Sequence, residues 1–241
     1  MEANQEKTYL AVDDRWAIFG TNSIDEHIHK NVVKGVFDDT VPKEIIGDFK
    51  TIEYLQVYAY YHWPMMDEAL SKGLRLLEMA IKLKAKELKI PLQNSGEKPK
   101  DKNFNQLTNE VCAEEPLIQL KETIHHLRNI RNILTHTDSN DFVGGTGDIV
   151  KRNLMRLVNL INDLFLAPEV LKSKLVLEKA ERAVFVKNYL NRLTISPPFT
   201  KEHFMGIAEW AFEEKKYMDK LWENKIKGLP VISFKTDKNS H

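Results

Sequence analysis

Leu127-Arg128-Asn129-Ile130-Arg131-Asn132-Ile133-Leu134-Thr135-His136 closes a strongly amphipathic pattern. Leu117, Leu120, Ile124, Leu127 and Leu134 recur at spacings of three and four, with one gap of seven. That is one face of an α-helix, expected from Pro116 to Leu134. Arg131 falls in the gap, and at about 100° per residue it lies inside the apolar stripe. A guanidinium buried without partners is costly. The position therefore calls for a carboxylate, a second subunit or a phosphate.

The same periodicity continues on both sides. Met66, Leu70, Leu74, Leu77, Ile81 and Leu88 predict a long helix after Pro64 that ends before Pro91. Val150, Leu154, Leu157, Val158, Ile161 and Phe165 predict another, capped by Asp148 and ended by Pro168. A helical segment from Ile52 to Tyr61 and a short helix near Phe104–Ala113 fit between them. Two further helices follow near 169–192 and 201–226, divided by Ser196-Pro197-Pro198. Val231-Ile232-Ser233-Phe234 is a short strand-like run before a polar tail. The fold class is all-α, with an irregular N-terminal segment. There, Tyr9–Val12 and Trp16–Phe19 flank Asp13-Asp14-Arg15 and suggest a short β-hairpin. Ser23-Ile24-Asp25-Glu26 reads as a capping box for a helix carrying Ile28, Val32 and Val33. Residues 38–48 are expected to be a loop or a short turn. The organisation expected is an extension over 1–50, a helical bundle over 51–167, and C-terminal helices over 168–241 packed on the same domain.

Bulk properties narrow the function. The 35 basic and 35 acidic residues balance, so any nucleic-acid site must be local rather than a field of the whole surface. A single Cys rules out an intramolecular disulfide framework and suits a reducing compartment. The first residues are polar, and no apolar run approaches a membrane span. The expectation is a cytoplasmic protein with no membrane contact. Scattered His and one Cys offer no metal constellation, and no cofactor is expected.

Arg131, Asn132 and His136 are the candidate catalytic residues. Five helical residues turn through about 500°, leaving Arg131 and His136 roughly 140° apart. They converge on one group only if the helix frays before Thr135 or a second copy supplies its own pair, as a two-fold dimer does. The bland alternative is an Arg paired with Glu78 or Glu122 and a His at a helix C-terminus. Arg128, with His125 and His126, extends the polar flank as a weak substrate-binding candidate, and Glu78 is a second. Lys72, Arg75, Lys82, Lys84, Lys86 and Lys89 form a basic strip that reads first as a solvated face. Tyr54, Tyr58, Tyr60, Tyr61 and Trp63 can stack bases but read first as core. Gly144-Gly145-Thr146-Gly147 is a connector without the lysine or leading strand of a phosphate loop.

Arg131-Asn132-x-x-x-His136 at the end of an amphipathic helix resembles the RNxxxH form of the Rx4–6H motif of the HEPN superfamily, over roughly residues 52–167. The resemblance implies a HEPN-like helical bundle, dimeric around the motif helix. It also implies a metal-independent endoribonuclease of toxin–antitoxin or defence systems, with RNA as substrate and an antitoxin or nucleotidyltransferase as possible partner. His136 would move the proton and Arg131 would bind the phosphate. The alternatives are a non-catalytic RNA-, nucleotide- or partner-binding module of the same kind, and a purely structural helical dimer.

Overall fold

A computed structural model describes residues 9–95, 99–136, 147–195 and 199–227, apart from the side chains of 133–136 and 226–227. Among them the regular elements are helices: α1 Arg15–Ile18, α2 Ile24–Asn31, α3 Lys43–Tyr58, α4 Met65–Glu87, α5 Phe104–Val111, α6 Lys121–His136, α7 Gly147–Phe165, α8 Pro168–Arg192 and α9 Met205–Lys227. Short 3₁₀ turns at Leu117–Leu120 and Lys201–Phe204 lead into α6 and α9. The run Val231–Phe234 lies outside the described residues.

α7 is the axis of the bundle. Leu154, Leu157, Val158, Ile161 and Leu164 are buried, and so are Asn153, Asn159, Asn162 and Asp163 on its other sides. A helix buried nearly all round needs neighbours on every face. It meets α4, α6, α9, α2 and the first 3₁₀ turn. α4 lies against α3, α5, α6 and α7. Gly73 sets the α4–α7 approach: a Cβ there would stand 2.9 Å from Leu154 Cδ2 and 3.0 Å from Leu157 Cδ2. One core cluster extends from Trp16 to Tyr217, and a smaller one joins Val186, Leu190 and Ala208 of α8 and α9.

The helix ends follow their caps. Ser23 Oγ accepts from Glu26 N at the start of α2, but Glu26 reaches back to Asn22 N rather than to Ser23. Asn103 and Gln106 cap α5 reciprocally, each side chain accepting from the other's backbone N–H at 2.9 Å. α4 ends in a Schellman motif, with Ile90 N donating to Ala85 O and Lys89 N to Lys86 O. Lys89 takes the left-handed position there, with φ 59°.

The expected N-terminal hairpin is replaced by turns and α1. In the run Trp16–Phe19 only Trp16 is buried, with Phe19 stacked on Trp63 and Ile18 exposed, so the alternating burial of a strand is absent. Trp16 is buried against Trp63 and His27, with ring centroids 4.3 Å away in each case, and its indole N–H donates to Ala59 O. Asp13 holds this corner by accepting from Arg15 Nε, Arg15 Nη2 and Trp63 N. Arg15 beside it, with Trp63 N, holds its carboxyl down at about 2, against a smaller opposing effect of burial.

Helix α3 starts at Lys43, earlier than expected, and runs through residue 51. Ile45, inside the 38–48 stretch expected to be a loop or short turn, shares one buried face with Phe49 and Ile52. Asp148 is not the cap of α7 but lies in its first turn and pairs with Arg152. Residues 32–38 form an extended strap, satisfied by side chains rather than by a partner strand. Val33 N donates to Gln56 Oε1, Gly35 N to Glu53 Oε1, Lys34 N to Tyr217 Oη and Asp38 N to Asn162 Oδ1.

Candidate functional site

Helix α6 runs from Lys121 to His136, so the backbone of the whole motif is helical, with no break before Thr135. Its inner face is Leu120 from the preceding turn, Ile124 and Leu127, all buried, followed by the half-buried Ile130. The apolar face therefore continues through Ile130. Arg131 keeps its angular place between Leu127 and Ile124, on the side of the face that meets α4, but is half-exposed there.

There its guanidinium meets Glu78, with Nη2 3.4 Å from Oε2. The Arg131 side chain remains 36% exposed and that of Glu78 26%. Glu78 also pairs with Lys82 one turn along α4, at 3.1 Å. Arg131 is thus held by a carboxylate of its own chain without being sealed by it. Asn132 is exposed beside it. The backbone of His136 completes α6, and its side chain lies outside the described residues, as do residues 137–146 with most of the glycine connector.

Arg128 is half-buried and donates through Nη1 to Asn105 Oδ1 of α5. It points toward α5, whereas Arg131 points toward α4, so the structure does not bring these two arginines together. Half of the basic strip on and just after α4 is ion-paired. Lys72 pairs with Asp48, Lys82 with Glu78, and Lys84 with Glu87. Lys84 is buried, with its ammonium 5.7 Å from the centroid of the Phe165 ring. Of the tyrosine and tryptophan group, Tyr60 and Trp63 are core, while Tyr54 and Tyr58 are exposed.

Two polar constellations escaped sequence reading. On the α6–α7–α9 side, Arg156 lies over the Trp210 ring at 4.4 Å and Arg152 at 5.7 Å, with His126 on the same indole. Between α7, α8 and α9, Asp163 takes Lys174 and Lys216, Glu178 takes both lysines, and Arg182 bridges Glu209 and Glu213. Burial works against the Glu213 carboxylate, but Lys216, Arg182 and Asn159 outweigh it and hold its pKa below the ordinary value. The available signal was the polar group Asn159, Asn162 and Asp163 inside the otherwise apolar second half of the helix, residues 157–165.

Among the described residues no group of three His, Cys, Asp or Glu is placed to hold a metal ion, and no helix is long and apolar enough to cross a membrane. Comparison with family models, with curated proteins and with solved structures found no match to this chain.

Proposed function

We propose that the protein is a metal-independent endoribonuclease of the HEPN type, working as a cytoplasmic homodimer in a toxin-like or defence role under an antitoxin or nucleotidyltransferase partner. The observation that carries this reading is the presentation of Arg131. The residue sits near the end of a continuous helix, next to exposed Asn132 and five residues before His136, with its guanidinium paired to Glu78 and its side chain 36% exposed. An arginine kept only for packing gains little from such a half-exposed pair. An arginine kept for phosphate gains orientation from it, because planar N–H donors fit phosphoryl oxygens.

In this mechanism the 2′-hydroxyl of the RNA attacks the adjacent phosphorus. The new O–P bond forms as the 5′-oxygen leaves, giving a 2′,3′-cyclic phosphate and a free 5′-hydroxyl. His136 takes the proton from the nucleophile or gives one to the leaving oxygen, its ordinary pKa lying near neutrality. Arg131 stabilises charge on the phosphoryl oxygens, and Asn132 positions the phosphate or the imidazole. Because Arg131 and His136 diverge by roughly 140° on one helix, the composite site takes them from two copies of α6. Glu78 is a positioning residue for Arg131.

The structural reading also has an observation behind it, the Arg131–Glu78 pair itself. Incubation of purified protein with total RNA in EDTA separates the two. Arg131→Ala and His136→Ala should each remove most cleavage, and the double variant should be little worse than either, since groups acting as a unit are non-additive. Arg131→Ala should shift stability by no more than about 1 kcal/mol, as for a surface pair. RNA cleaved by both variants as by the wild type, or DNA cleaved as fast as RNA, would overturn the proposal.

A further inference from the structure

Helix α8 carries apolar residues on the wrong side. Its inner face is Leu171, Leu175, Glu178, Arg182, Phe185 and Tyr189, turned toward α7 and α9. The face turned away contains Val170, Val176, Leu177 and Val184, exposed by 53%, 66%, 65% and 61%. Ser173, Ala180 and Ala183 are exposed among them. The outer positions 170, 173, 177, 180 and 184 alternate by three and four, the spacing of a coiled-coil seam rather than of scattered surface residues. Four of these five positions are apolar and the fifth is Ser173, so the helix presents a long, largely apolar stripe that none of the described residues covers.

We infer that α8 pairs antiparallel with α8 of a second copy, about a two-fold axis passing between Leu177 and Ala180. The stripe is complementary to its own reverse. In that register Leu177 faces Ala180 of the other copy, and Ser173 faces Val184, so large residues meet small ones and the helices approach closely. The flanking charges match as well. Lys187 comes opposite Val170 within reach of Glu169, and Glu181 comes opposite Val176, two residues from Lys174 on the same flank. Each contact occurs twice. Within its own chain none of Glu169, Glu181 and Lys187 makes an ion pair among the described residues, whereas Lys174 already holds Asp163 and Glu178. A parallel pairing would instead set Lys187 against Lys187, like charges facing each other in the seam. Since α6 packs on α4, α5 and α7 while α8 packs on α9, this contact is separate from any pairing of the two motif helices.

Light scattering on the full chain at high micromolar concentration tests it. Leu177→Glu should halve the mass of the wild-type assembly and weaken association by about tenfold or more, because two carboxylates enter an apolar seam. Its melting temperature, extrapolated to low concentration, should match the wild type, because Leu177 has no core contact to lose. Lys187→Glu should weaken association, and Glu169→Lys combined with Lys187→Glu should restore it, since only the antiparallel register joins those two positions. A monomeric wild type, a mass unchanged by Leu177→Glu, or failure of the double reversal to restore association would overturn the proposal. None of these outcomes depends on RNA cleavage, so the assembly through α8 and the chemistry at Arg131 fail or stand separately.

Discussion

Lys89 shows how much of a helix end is decided by one backbone angle. It sits at φ 59° in the Schellman turn that closes α4, a conformation that costs a residue with a Cβ. Lys89→Gly should therefore stabilise the protein by about 0.5–1 kcal/mol, less what glycine adds to the freedom of the unfolded chain, and urea titration checks it. His27 makes a different single-residue argument. Its ring is buried between Trp16 and Tyr60, and Nε2–H donates to Gln56 O at 2.7 Å. Burial depresses its pKa below 6.5, the Gln56 carbonyl opposing only in part. A depressed value means the unfolded chain binds the proton first. The stability is present above about pH 6.5 and is lost as pH falls from there toward the lowered folded value. His125 and His126 are pushed the same way, by burial first and by Arg128 and Arg156 next. Thermal melts from pH 7.5 to pH 5 should slope downward, and His27→Gln should flatten the slope without abolishing it. An unchanged slope would mean that His27 titrates as it does in the unfolded chain.

At the scale of elements, Gly73 is the tightest helix contact. The atoms a Cβ would meet are Leu154 Cδ2 and Leu157 Cδ2, both inside the core and with little room to rotate. Gly73→Val should cost about 1–3 kcal/mol by overpacking despite its better helix propensity, read as a lowered denaturation midpoint at constant slope. The helices α4, α6 and α7 were legible because each packs one broad apolar stripe, which fixes a 3.6-residue period in the sequence. The strap at 32–38 was not legible, because its backbone is satisfied by Gln56, Glu53, Asn162 and Tyr217 from distant elements. No local pattern encodes such partners. α8 was legible as a helix, yet its orientation was not. Lys174, Glu178 and Arg182 follow one another at four-residue spacing, and nothing local marks that they face inward to partners on α7 and α9. Arg131 was legible as an anomaly in its helix. Its rescue by Glu78 was foreseen only as one of two acidic candidates, because choosing between α4 and α6 partners requires the packing angle.

At the scale of the whole molecule, the C-terminal helices are joined to the bundle by charge as much as by apolar area. Asp163 stands on the central helix α7 with only 5% of its side chain exposed, and it faces Lys174 of α8 and Lys216 of α9. Tyr217 and Lys220 of α9 tie the same helix to the N-terminal strap at Lys34 and Asp38. Removing one member of a buried ionic set is costly because the others stay desolvated without their counter-charge. Glu178 softens the loss here, since it already pairs with Lys216 at 2.8 Å and Lys174 at 3.5 Å. Asp163→Ala should accordingly destabilise by about 3 kcal/mol, at the low end for a broken buried pair, and should loosen α8 and α9 before α4 and α7. Hydrogen exchange resolved by segment should show protection lost first in 168–192 and 205–227. Asp163→Leu combined with Lys174→Met should recover most of the loss, because apolar side chains of similar volume remove the unpaired charge along with its partner. Equal protection loss across all helices would mean instead that the set is not what docks α8 and α9, and that the apolar contacts at Leu171 and Tyr217 carry that attachment unaided.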